Sequence, residues 1–159
     1  ICACLVGSEM CIRDSGYPDP ESELAMALGV TEQNRVDEVC AVMDGADLLE
    51  IQRDISHVYL KESVAQYIVD LVRATREHPL LEQGGSPRAT LALVKMSRAM
   101  AWLDGRDFVT PVDVQRQFPY IIRHRVFLNH TAQMNQKTQD DVIHEILASV
   151  KRPAVGRKE

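Results

Sequence analysis

The chain reads as an all-α protein, a small helical bundle. Apolar residues recur at i, i+3, i+4 and i+7 through residues 62–77, and four helix starts carry a capping residue with a proline or an acidic partner at the right offset. About 144 residues, once a leader is set aside, suffice for one domain with a modest core, and no apolar run is long enough for a membrane span.

That leader is residues 1–15. Leu5-Val6-Gly7-Ser8-Glu9-Met10-Cys11-Ile12-Arg13-Asp14 resembles the translation of a sequencing-library adapter, so the segment is expected to be non-native, disordered and without native contacts. Ile1 to Val6 lacks the basic start of a signal peptide and is too short to cross a bilayer. Setting it aside removes Cys2, Cys4 and Cys11 and leaves Cys40 alone, which excludes a disulfide framework and a Cys-x-x-Cys metal site and fits a reducing, cytoplasmic compartment. The whole chain carries a formal charge of −5, and the remainder stays acidic. Nothing in that balance asks for nucleic acid or an acidic membrane surface. The start at Gly16 without methionine reads as a truncated frame with its N-terminal part missing.

In residues 16–43, Asp19 opens a short helix from Pro20 to Leu28 that Gly29 closes, and Val30 to Met43 gives mixed signals suited to a linker with some extended backbone. A helical unit at 44–130 follows. Asp44 can cap a helix over about Gly45–Ile55, striped by Leu48, Leu49, Ile51, Gln52 and Ile55. Glu62 to about Glu77 is the clearest helix: Val64, Tyr67, Ile68, Leu71, Val72 and Thr75 form its core face, with Lys61, Glu62, Asp70 and Arg73 off the stripe.

Gly84-Gly85-Ser86-Pro87-Arg88-Ala89 is a turn that opens the next helix. Ser86 is placed to cap it through its side chain, and Pro87 at the first helical position forfeits no bond the helix needs. Ala89, Ala92, Leu93, Met96, Ala99, Met100 and Leu103 are expected along its packed face, the alanines permitting close approach. Asp104-Gly105 ends it. Thr110-Pro111-Val112-Asp113 reads as a capped start for a helix from Pro111 to about Phe118, and Pro119 as the start of another through about His124. Residues 131–150 form the C-terminal helix region, with Thr138 and Asp141 as a capping box for a helix over Gln139 to Val150 and Val142, Ile143, Ile146, Leu147 and Val150 as its apolar line. Lys151 to Glu159 is a charged tail expected to stay disordered.

Arg88 is the residue that points to chemistry. A cation in a first helical turn opposes the macrodipole at a cost of roughly 0.3–1 kcal/mol, while the free N–H groups beside it attract anions. A solvated arginine leaning away from the dipole is the plainer account on spacing alone. Ser86 is better explained as a cap than as a nucleophile. Arg123, His124 and Arg125 form a basic cluster that suits either a solvated helix end or an acidic partner. The chain contains no G-x-x-x-x-G-K-S/T phosphate loop, no G-x-S-x-G elbow and no H-E-x-x-H pair. Its five histidines, His57, His78, His124, His130 and His144, lack metal-ligand spacing, so no metal site is expected.

Context decides for Arg88. Tyr67-Ile68-Val69-Asp70-Leu71-Val72-Arg73-Ala74-Thr75-Arg76, the Gly-Gly-Ser-Pro-Arg-Ala turn, and Gly105-Arg106-Asp107-Phe108-Val109-Thr110-Pro111 before Asp113-Val114 together resemble the C-terminal lid of MoxR-type AAA+ ATPases. Gly16-Tyr17-Pro18-Asp19-Pro20-Glu21 is similar to the exit from that family's ATPase core, and His124-Arg125 with Asp140-Asp141-Val142-Ile143 to its C-terminal stretch; the likeness covers residues 16–150. The resemblance implies that Arg88 is the sensor 2 arginine, with Ser86 and Pro87 beside the nucleotide. It implies that the intact parent binds ATP and Mg²⁺ in a missing N-terminal core and assembles into a homo-oligomeric ring. It further implies that the parent remodels or matures clients, with von Willebrand factor A domain proteins among its partners. The fragment itself, without Walker A and Walker B, is not expected to hydrolyse ATP. The rival is a non-enzymatic helical interaction or helix-turn-helix DNA-binding module, but Pro111 to Phe118 offers mainly Gln115, Arg116 and Gln117 to a base edge.

Overall fold

The structure, a computed structural model, describes residues 17–28 and 39–154. The leader at 1–15, most of the linker read at 30–43 and the end of the tail at 155–159 lie outside the described residues. The chain divides between Asp44 and Gly45 into two units, each taken by itself. In the first, helix α1 spans Pro20–Ala27; Asp19 caps it by accepting from the Ser22 backbone N–H at 2.9 Å, and Pro20 takes the first position.

The second unit is built from α2 (Gly45–His57), α3 (Glu62–Glu77), strand β1 (Leu81–Gln83), α4 (Pro87–Leu103), α5 (Pro111–Ile122), a 3₁₀ turn at Arg123–Arg125, β2 (Phe127–Leu128), α6 (His130–Met134) and α7 (Gln139–Ser149). Its core joins α3, α4, α5 and α7 around Ile68, Leu71, Leu93, Phe118, Ile122, Ile143 and Ile146, all of them fully buried. On α3 the buried set is Val64, Tyr67, Ile68, Leu71, Val72 and Thr75, the stripe expected from its spacing. On α7 Val142, Ile143 and Ile146 are buried, with Leu147 and Val150 packed against the core. Both capping boxes form. Thr110 and Asp113 satisfy each other's backbone N–H groups at the start of α5, and Thr138 and Asp141 do so at the start of α7.

Four expectations are corrected. The stripe on α2 is not a core stripe: Leu48 and Leu49 are half exposed, because α2 packs chiefly on α4 and covers only one side of itself. On α4 the buried row is Ala89, Leu93, Ser97 and Ala101, while Met96 and Leu103 face solvent. That row follows the i, i+4 ridge, and small side chains on it let α4 approach α5, its most extensive neighbour. Pro119 does not start a helix; α5 runs through it to Ile122. The missing N–H at Pro119 removes one bond from the ladder, but Phe118 and Ile122, fully buried on either side, keep the turn helical. The fourth correction, at Ser86, belongs to the site.

Two features had no counterpart in the sequence pattern. β1 and β2 pair antiparallel, Leu81 opposite Leu128 and Gln83 opposite Phe127, with an irregularity between. Asn129 reinforces the pair by donating its side-chain N–H to the Pro79 carbonyl at 2.7 Å and then caps α6. A single parallel bridge also joins Tyr59 to Phe108, so the α2–α3 connection is pinned to the α4–α5 loop. At the end of α4, Gly105 adopts φ 70°, and the N–H groups of Gly105 and Arg106 donate back to Trp102 and Ala101. These two bonds form a Schellman ending, which needs the left-handed residue that glycine supplies without strain.

Candidate functional site

Arg88 stands in the first turn of α4, exposed, with no ion pair or hydrogen bond among the described residues and no acidic neighbour in that turn. Ser86 holds the N-cap position with extended backbone (φ −74°, ψ 168°), but its side chain makes no capping bond. The N–H that its hydroxyl would accept from, that of Ala89, donates instead to Ser86's own carbonyl at 2.9 Å. The serine side chain is exposed and left for solvent.

What fixes the start of α4 is the end of α3. Gly85 donates its N–H to Thr75 Oγ1 at 2.8 Å, and that hydroxyl donates to the Val72 carbonyl at 2.6 Å. Arg76 Nε donates to the Gly85 carbonyl at 2.7 Å. Gly84 lies so close to α3 that a Cβ would stand 2.6 Å from the backbone of Thr75 and Arg76, and a Cβ on Gly85 would meet the Ile122 side chain at 3.0 Å. Close approach thus requires glycine at 84 and leaves little room for a side chain at 85, and the turn that presents Arg88 is clamped to the core. Sequence reasoning placed Thr75 on the core stripe and did not foresee the clamp. The adjacent Gly-Gly pair was its only signal.

Gly84→Ala is expected to destabilise the chain by about 1–3 kcal/mol in chemical denaturation, since backbone must shift. Gly85→Ala should cost less, because the atom it meets is the tip of a side chain. Equal costs would show that the turn can lift from α3.

A second polar cluster sits at the far end of α4. Arg106 holds Asp113 with two hydrogen bonds, at 2.7 and 2.9 Å, and also reaches Asp104 at 2.8 Å and the Phe108 carbonyl at 3.0 Å. Burial would raise the Asp113 pKa, but the hydrogen bonds from Arg106 and Thr110 outweigh it and hold the carboxyl below its usual range. The bonds to Asp113 in turn raise Arg106. Arg123 is paired with Asp140, and Arg125 Nε donates to His124 Nε2, so the basic cluster is partly spent within the fold. The arrangement around Arg88 can offer one guanidinium to an anion. Among the described residues no trio of His, Cys, Asp or Glu converges to hold a metal.

The AAA lid domain family model matches residues 73–146, which include the clamp, Arg88 and the Arg106 cluster. Chaperone MoxR1 of Mycobacterium tuberculosis is 31% identical over 152 residues, 89% of this chain and 39% of its own length. This chain is a MoxR-type AAA+ lid segment. The uncharacterized protein YeaC of Bacillus subtilis is 33% identical over 138 residues, covering 87% of the lid chain and 43% of YeaC. The crystal structure of a candidate ATPase from Cytophaga hutchinsonii superimposes with a TM-score of 0.73 at 32% identity, over 87% of the lid chain and 45% of that protein. The MoxR-type lid chain therefore spans less than half the length of these relatives. Among its described residues no helix is long and apolar enough to cross a membrane.

Proposed function

We propose that the intact parent of this lid is a cytoplasmic AAA+ ATPase that couples ATP hydrolysis to the remodelling or maturation of client proteins, with Arg88 as its sensor 2 residue. The observation that carries the reading is the placement of Arg88, an exposed and unpaired guanidinium on a helix start clamped to the core. The name of the mycobacterial relative, a chaperone, supports the client role. ATP and Mg²⁺ are assigned to a nucleotide-binding core outside this chain, and bound ATP supplies the phosphoryl group to be transferred. Arg88 contributes a fixed positive charge toward that group, and a preorganised charge lowers the barrier because it needs no reorientation as charge develops. Exposed Ser86 and Pro87 flank the same edge and would line the nucleotide. The parent is assigned to a ring of like subunits, with von Willebrand factor A domain proteins as partners.

The test is steady-state ATP turnover by the intact parent. Arg88→Ala should lower it by roughly ten- to a thousandfold with a smaller change in nucleotide affinity. Arg88→Lys should restore part of the loss, keeping the charge without the planar fork that holds two phosphate oxygens. Unchanged turnover in the alanine variant would return Arg88 to the role of a solvated surface residue.

A further inference from the structure

We propose that Arg76 and Thr75 are positioning residues for Arg88, acting through the single residue Gly85; the proposal rests on the sensor 2 reading of Arg88. Gly85 has one backbone donor and one acceptor, and consecutive residues at the end of α3 take both. Thr75 Oγ1 accepts the N–H at 2.8 Å and Arg76 Nε donates to the carbonyl at 2.7 Å. Those two bonds fix the orientation of Gly85 relative to α3. Between Gly85 and Arg88 stand only Ser86 and Pro87, and the proline ring locks φ near −65°. The N-cap side chain, which usually orders a helix start, makes no bond here. Orientation of the first turn of α4 therefore comes from the α3 clamp, and with it the direction in which Arg88 leaves the fold.

Arg76 is the more telling of the two. It is exposed and could extend freely into water, yet its Nε is committed to a carbonyl nine residues away in sequence. Arg73, one turn earlier on α3, makes only an exposed pair with Glu77 at 3.7 Å and serves as the control.

The experiment has two arms. In the 159-residue chain, Arg76→Ala should speed amide hydrogen exchange across residues 85–89 and leave α7 unchanged, whereas Arg73→Ala should alter neither. In the intact parent, Arg76→Ala should lower kcat for ATP roughly ten- to a hundredfold with little change in KM, the scale expected when a reacting group is misplaced by about an ångström. In an Arg88→Ala background the same substitution should cause no further loss, since a positioning residue has nothing left to position. Thr75→Ser, which keeps the hydroxyl, should retain turnover that Thr75→Val loses.

Unchanged exchange at the turn, or normal turnover in Arg76→Ala beside impaired Arg88→Ala, overturns the positioning role alone. Multiplying losses in the double variant overturn it too, because Arg76 would then meet the anion itself. Normal turnover in Arg88→Ala brings down the sensor 2 reading and this proposal with it.

Discussion

Arg106→Ala is expected to cost about 3–5 kcal/mol, the range for leaving one half of a buried ion pair without its partner. The cost should fall toward the lower end, because Arg106 is 26% exposed whereas the Asp113 side chain is only 2% exposed. Asp113 would keep the Thr110 bonds of the capping box but lose both guanidinium contacts, and a carboxylate would remain in a dry site. Two checks separate this mechanism from simple loss of packing. Adding Asp113→Asn to the alanine variant should recover stability, because it removes the stranded charge and keeps an oxygen for the cap. The second check is pH. The folded pKa of Asp113 is lowered, so its contribution is fully present above the unfolded value of about 3.9 and is lost as pH falls through the folded value. The gap between wild type and Arg106→Ala should therefore be widest near neutrality and shrink in acid. A gap that does not change with pH would mean that the pair contributes nothing beyond packing.

Leu71→Ala is the second large effect. Leu71 is fully buried at the middle of α3, between Ile68 and Val72, and truncation would leave a cavity costing about 2–5 kcal/mol by urea or guanidinium denaturation. Lys61→Ala, at the exposed N-cap of the same helix, should change little, since Lys61 makes no side-chain capping bond there. Similar losses in the two variants would place the core on the wrong face of α3.

The difference between α3 and α4 shows what was legible in the sequence. On α3 the buried face is made of large apolar residues against charged ones, so spacing alone identified it. On α4 the packed row includes Ser97, a residue whose polarity argues for solvent, and it excludes Met96, whose hydrophobicity argues for the core. Close packing of α4 on α5 selected for size, and size is not what periodicity measures. The capping boxes were readable because each is local, a serine-like residue and an acid three positions apart. The clamp on Gly85 was not, because it joins residues nine and ten apart whose pairing follows no period. β1 and β2, three and two residues long, are too short to show alternation. Arg88 itself was marked by its motif, whereas the residues that hold it were not.

The β1–β2 ladder also bears on how the unit folds. It joins segments on either side of α4 and α5, reinforced by Asn129 and Pro79 fifty residues apart, so closing it costs loop entropy that no local contact offsets. The α4–α5 pair, linked by a short turn with strong stop and start signals, is expected to form first and the ladder to zip up afterwards. β1 ends at Gln83, immediately before the Gly84-Gly85 turn. The ladder would thus be among the last parts of the unit to become native and among the first to open when the unit breathes, while the turn beyond it stays held by the Gly85 clamp on α3.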